Sequence, residues 1–163
     1  MEIKKLIEAI TVQTELLNEL LQVLDRETSE MANIDITAMN LSNQTKNELI
    51  ARIAEHSQHL QRTTSALAVR EGLPGTASLG AIAKHVAEKG NRELFTSQQQ
   101  ICRIAEQLQQ VTALNSGIAE RFVSTVTTSL SLIASLINQS NVYGASGGYQ
   151  QRPTGAVIIN REA

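Results

Sequence analysis

One stripe of helically spaced residues constrains the fold of this chain more than any other feature. Its members recur every three or four positions from Leu94 to Ile137, which is the 3.6-residue period of an α-helix. Most are apolar, and the few polar ones include Asn115. The spacing predicts a single long helix over about residues 92–139. The stripe consists of Leu94, Gln98, Ile101, Ala105, Leu108, Thr112, Asn115, Ile118, Phe122, Val126, Leu130, Ile133 and Ile137.

The N-terminal half carries three weaker or shorter helical patterns. A regular apolar stripe predicts a first helix over about residues 2–30. A patchier stripe predicts a second helix over about residues 35–71, with Asp35 as its N-cap. A Gly-Leu-Pro-Gly-Thr loop follows at residues 72–76, because proline ends a helix and glycine allows a positive φ. Ser78 then caps a short predicted helix over about residues 78–89.

The composition agrees with an all-α fold. The chain of 163 residues contains two Phe, two Tyr and no Trp, which is too few aromatic residues for an ordinary β-sandwich or enzyme core. We therefore predict an elongated antiparallel helical bundle or coiled coil of three long helices plus one short helix. This helical domain occupies residues 1–139, and the glycine-rich residues 140–163 form a flexible tail.

The charges stop in the C-terminal part of the long helix. Between Gln107 and Gln151 the only charged residues are Glu120 and Arg121. A soluble helix usually covers its outer face with charged side chains, so residues 122–137 favour a surface that a partner covers. At ~1.5 Å per residue the last helix is also the longest, and the other helices cannot cover all of it. Our hypothesis is that residues 118–137 bind a partner and become more ordered on binding.

Charge, cysteine content and hydropathy exclude several classes of partner. A net charge of -2 gives no electrostatic reason to bind nucleic acid. No apolar run is long enough for membrane insertion, and the N-terminus does not resemble a signal peptide. The single Cys102 rules out an internal disulfide and favours a reducing compartment. We expect a cytoplasmic protein.

No group of residues predicts a catalytic site, a metal site or a cofactor. His56 and His59 lie three positions apart on one helix, but further ligands are missing, so the interpretation is two partly exposed polar residues. We expect Cys102 to be a buried small apolar residue. Asn115 has two interpretations: a buried amide that fixes helix register, or a satisfied polar residue near the edge of the bundle.

The order of short segments along the chain resembles the FlgN family of flagellar type III export chaperones. The first helix ends in Leu-Leu-Gln-Val-Leu-Asp-Arg-Glu at residues 20–27, and Arg-Glu-Gly-Leu at residues 70–73 precedes the short helix. Ala-Leu-Asn at residues 113–115 lies near the middle of the long helix, and Val-Tyr-Gly at residues 142–144 follows it. The resemblance covers nearly the whole chain.

The resemblance implies a cytoplasmic chaperone that binds hook-associated proteins of the hook–filament junction through its C-terminal helix. It would prevent their premature association and deliver them to the type III export gate. The implied export-gate docking residues are Tyr143 and Gly144, although Ala145 and Ser146 stand where the family often has an acidic residue. The implied client-binding residues are Ile118, Phe122, Val126, Leu130, Ile133, Leu136 and Ile137.

A different class of function uses the same helix. An uncovered apolar stripe can pair with a second copy of itself, as in a structural or signalling coiled coil. The alternative interpretation is therefore a self-associating protein, and its partner would be a homodimer mate.

Overall fold

The chain folds into four helices in the computed structural model, which describes the backbone of residues 2–140 and the side chains of residues 2–135. They are α1 (Glu2–Ala32), α2 (Ile36–Arg70), α3 (Leu79–Glu88) and α4 (Glu93–Ser140). The described part contains no strand, which confirms the predicted all-α class with three long helices and one short one. The predicted flexible tail lies outside the described residues.

The chain divides into two compact units. The first unit is Met1–Ala119 and contains α1, α2, α3 and the first half of α4. The second unit is Glu120–Ala163 and contains the rest of α4.

Side-chain caps begin two of the helices, as the sequence predicts. The Asp35 carboxylate accepts a hydrogen bond from the Ala38 N–H at 3.0 Å and caps α2. The Ser78 hydroxyl accepts from the Ala81 N–H at 3.2 Å and caps α3. Gly72 lies just after α2 with a φ of 79°, a conformation that glycine adopts without a steric penalty.

Helices α1 and α2 run antiparallel. Hydrogen bonds and ion pairs join them along much of their length, and residue numbers rise along α2 as those of the paired α1 residues fall. The pairs are Glu30–Ser42 (2.9 Å), Glu27–Lys46, Glu19–Arg52 (3.3 Å) and Gln13–Ser57 (3.1 Å).

The apolar core lies where α1 begins, α2 ends and α4 begins. Helix α3 packs over this region with three of its side chains fully or almost fully buried. Burying an aliphatic side chain stabilises the fold by ~1.5–3 kcal/mol, so this cluster holds the four helices together. The core consists of Leu6 and Ile10 from α1, Leu67 and Ala68 from α2, Ile82, Ala83 and Val86 from α3, and Leu94 from α4.

Candidate partner-binding face of α4

Four of the seven predicted client-binding residues form an exposed apolar row in the second unit. Phe122 is 47% exposed, Val126 40%, Leu130 60% and Ile133 52%. They recur at intervals of three and four residues along α4, so they share one side of the helix. We call these four residues the uncharged face.

The other predicted site residues fall outside this row. Ile118 is half-buried and belongs to the first unit. The side chains of Leu136 and Ile137 lie beyond the part whose side chains are described, and Tyr143 and Gly144 lie outside the described residues altogether.

Two further apolar side chains flank the uncharged face, and the sequence analysis missed them. Val123 is 63% exposed and Leu132 is 60% exposed. Neither residue belongs to the stripe that recurs every three or four positions from Leu94 to Ile137. The signal that could have found them is the absence of charge on every side of residues 122–137, which makes a one-sided stripe too narrow a description.

Six of the seven serine and threonine hydroxyl groups in residues 122–135 donate a hydrogen bond to a carbonyl oxygen of their own helix. A hydroxyl that donates to a carbonyl one turn earlier has its donor satisfied, so a partner can cover it without leaving that donor unpaired. The segment therefore combines exposed apolar side chains with polar groups that are cheap to bury. The bonds are Thr125–Arg121, Thr127–Val123, Thr128–Ser124, Ser129–Thr125 and Ser131–Thr127, all at 2.9 Å, and Ser135–Leu132 at 2.8 Å.

A family model described as FlgN protein matches residues 1–151 of the 163-residue chain. The chain belongs to the FlgN family. Membership gives it the general role of a flagellar export chaperone and confirms the family resemblance of the sequence. No curated protein and no solved structure matches the chain significantly.

A buried polar cluster joins the three long helices in the first unit of this FlgN-family chain. Asn115 on α4 is only 6% exposed, and its amide nitrogen donates to the Leu24 carbonyl oxygen at 2.9 Å and to Glu27 Oε2 at 3.1 Å. Its amide oxygen accepts from the Thr28 hydroxyl at 2.6 Å. Glu27 Oε1 accepts from the Lys46 ammonium on α2. The burial and these bonds favour the interpretation that Asn115 fixes helix register, which stays a prediction.

An open groove lies beside this cluster, between α1, α2 and α4. Its volume is about 330 Å³, and all of its walls belong to the first unit. Sequence analysis did not find it, because its lining combines three helices whose relative register a single sequence does not give. The lining residues are Leu20, Leu24, Glu27 and Met31 from α1, Lys46 and Ile50 from α2, and Thr112, Asn115, Ser116 and Ala119 from α4.

The two histidines on α2 lie side by side, with ring centroids 5.7 Å apart. His56 Nδ1 lies 2.7 Å from the Gln13 amide oxygen and donates to it, because that oxygen can only accept. Burial and the nearby His59 lower the pKa of His56 below its usual 6.5. Within the described residues, no three His, Cys, Asp or Glu side chains come together as a metal site would need.

Cys102 is exposed, so the expectation that it is buried is wrong. The residue follows Ile101 of the predicted stripe, and one step along a helix turns a side chain by about 100°. That turn points the thiol away from the core, where it accepts a hydrogen bond from the Gln98 amide at 3.1 Å.

Among the described residues, no helix has the length and apolar character that crossing a bilayer requires.

Proposed function

We propose that this FlgN-family chaperone binds hook-associated proteins of the hook–filament junction through the uncharged face of α4. The family resemblance adds Ile118, Leu136 and Ile137 to the proposed client-binding residues. The bound client is kept from associating early in the cytoplasm and is then delivered to the type III export gate.

One observation carries the proposal: an uncharged stretch of α4 exposes a row of large apolar side chains. Isolated exposed apolar residues are ordinary on a protein surface, but a row on one helix face marks an interaction site. A client helix whose own apolar residues repeat every three or four positions would pair with this row side by side.

The size of the uncharged face limits how tightly it holds a client alone. Each of its four side chains is roughly half exposed, so covering them gives about 3–6 kcal/mol at ~1.5–3 kcal/mol per fully buried side chain. Association itself costs at least ~4 kcal/mol, and a micromolar complex needs about 8 kcal/mol net. Further contacts are therefore part of the complex.

The test is copurification with a hook-associated protein. Leu130→Asp and Phe122→Asp each place a charge on the uncharged face and are expected to abolish client binding. Ser131→Asp and Ser124→Asp are the matched controls, because both residues are exposed on the opposite side of the same helix segment. If Leu130→Asp and Phe122→Asp recover as much client as the two serine controls do, the proposed site is refuted.

The export-gate contact is a separate part of the proposal and rests on the family resemblance at Tyr143 and Gly144. We expect Tyr143→Ala to spare client binding and to reduce secretion of hook-associated proteins. Tyr149→Ala is the control, since Tyr149 is the other tyrosine of the chain. Normal secretion by the Tyr143→Ala strain refutes the docking role.

Self-association through the uncharged face is the competing function, because the same exposed row can meet a second copy. Light scattering distinguishes the two. A stable dimer that Leu130→Asp dissociates, and that binds no hook-associated protein, favours the structural coiled coil.

A further inference from the structure

The groove between α1, α2 and α4 has a filled counterpart in the same unit. Where α1 begins, the same three long helices contribute Leu6, Leu67 and Leu94 to the core, and α3 packs onto them. The α3 side chains Ile82 and Val86, one helical turn apart, are 0% and 2% exposed there. Three long helices with a short amphipathic helix laid over them therefore form the stable arrangement at that end.

Helix α3 is too short to provide this cover along the whole bundle. It has 10 residues and spans about 15 Å, whereas α1 has 31 residues and spans about 46 Å. The groove lies along the last part of α1, between Leu20 and Met31.

The exposure of the lining side chains differs sharply between the region under α3 and the groove. On α2, Leu67 under α3 is 1% exposed, whereas Ile50 in the groove is 49% exposed. On α4, Leu94 is fully buried, whereas the groove side of the helix presents the exposed small residues Ser116 and Ala119. The groove therefore has an exposed apolar wall on α2, and on α4 a wall of small residues that lets another helix approach closely.

We infer that the groove binds an amphipathic helix of the client that inserts two apolar side chains one turn apart, as α3 does with Ile82 and Val86. This inference rests on the proposed chaperone function and names the kind of client segment that the first unit recognises.

The polar floor of the groove suits an uncharged occupant. Both carboxylate oxygens of Glu27 are already bonded, one to Lys46 and the other to Asn115. A client helix can therefore cover Glu27 without leaving either oxygen unpaired, and an apolar side chain needs no partner there.

Two variants of the full-length chain test the inference by titration calorimetry with a purified hook-associated protein. Ile50→Asp places a charge on the apolar wall. Ser116→Trp fills the open space with a bulky side chain. Both variants are expected to weaken client binding roughly tenfold or more. The first places a charge where the exposed half of Ile50 is buried in the complex, and the second occupies the space that the client side chains would fill. Val69→Asp is the control, since Val69 is on the same helix, 65% exposed and not part of the groove lining.

Thermal unfolding separates loss of binding from loss of folding. Ser116→Trp adds apolar volume to open space, so its melting temperature is expected to stay unchanged or to rise while its client affinity falls.

The outcomes distinguish this inference from the proposed function. Wild-type affinity of both groove variants, together with loss of binding in Leu130→Asp, overturns the groove and leaves the proposed function standing. An unmodified chain that binds no hook-associated protein refutes the proposed function and the inference with it. A dimer that Ser116→Trp dissociates, with client affinity unchanged, makes a second copy the occupant and also overturns the inference.

Discussion

The polar cluster around Asn115 is expected to act as one energetic unit, and a double-mutant cycle tests this. The two changes are Asn115→Ala on α4 and Glu27→Ala on α1, whose side chains share a hydrogen bond of 3.1 Å. Residues that share a buried bond show coupling energies of ~0.5–3 kcal/mol, whereas independent sites add within ~0.5 kcal/mol.

The expected magnitude follows from the burial of the two residues. Asn115 is 6% exposed and Glu27 is 8% exposed, so water replaces neither side of the broken bond well. A hydrogen bond to a charged group contributes ~1.5–3 kcal/mol, and other lost contacts bring each single change to about 2–4 kcal/mol. The double variant should be less destabilised than the sum of the single variants, by about 1–2 kcal/mol.

Urea unfolding followed by far-UV circular dichroism measures these free energies, since the chain is helical and has no Trp. Equal slopes against urea would show that the variants unfold from equally compact states. The control cycle is Glu19→Ala with Arg52→Ala. That ion pair joins the same two helices as Glu27 and Lys46, at 3.3 Å, but its side chains are 52% and 59% exposed, so at most about 0.5 kcal/mol of coupling is expected.

Additive effects of Asn115→Ala and Glu27→Ala would refute the reasoning. The amide would then be a satisfied polar residue without a role in fixing α4, although it is buried. A control cycle with equal coupling would also count against it, because burial would no longer explain the difference.

Four further predictions concern other parts of the chain. Burial and His59 lower the pKa of His56, so the folded protein binds a proton there less readily than the unfolded chain does. The free energy of unfolding should therefore be full above about pH 6.5 and fall as the pH drops through the folded-state pKa. His56→Gln should flatten that fall in urea titrations from about pH 7 to pH 5. Ser78→Ala removes the cap of α3 and should lower the free energy of unfolding by ~1 kcal/mol, measured by urea unfolding, whereas no loss would show that the cap is not needed. Cys102 should react with a thiol reagent in the folded protein about as fast as in denaturant, and strong protection would contradict its exposure. Backbone amides of residues 120–135 should exchange with deuterium faster in the free chain than with a bound client, and full protection in the free chain would refute consolidation on binding.

The sequence was enough to predict the helices because each signal is local. The apolar stripe from Leu94 follows a 3.6-residue period, and Asp35 and Ser78 cap helices with a carboxylate and a hydroxyl that reach only three residues along the chain. Such features need no knowledge of how helices pack. The exposed uncharged face was also predictable, because the absence of charge is visible in the sequence alone.

Features that need the register between helices were predicted only in part. The sequence placed Asn115 on a core-facing stripe, but it gave no means of pairing it with Glu27, which lies 88 residues earlier. The groove was missed for the same reason, since Ile50 on α2 and Ser116 on α4 line one cavity only after both helices pack on α1. The prediction for Cys102 was wrong because a residue that follows a stripe residue in sequence lies on a different face of the helix.

Shallow contacts suit a chaperone that must also release its client. The uncharged face and the groove are both partly apolar and partly exposed, so any partner that covers one of them gains only the burial of the exposed part of each residue. In the proposed complex the uncharged face alone falls short of the ~8 kcal/mol net that micromolar affinity requires, so further contacts must contribute. Affinity differences between related complexes appear mainly in the dissociation rate, so a deeper site would hold the client longer. In the proposed complex the contacts are individually weak, so they can break one at a time and the client can leave without ATP hydrolysis by the chaperone.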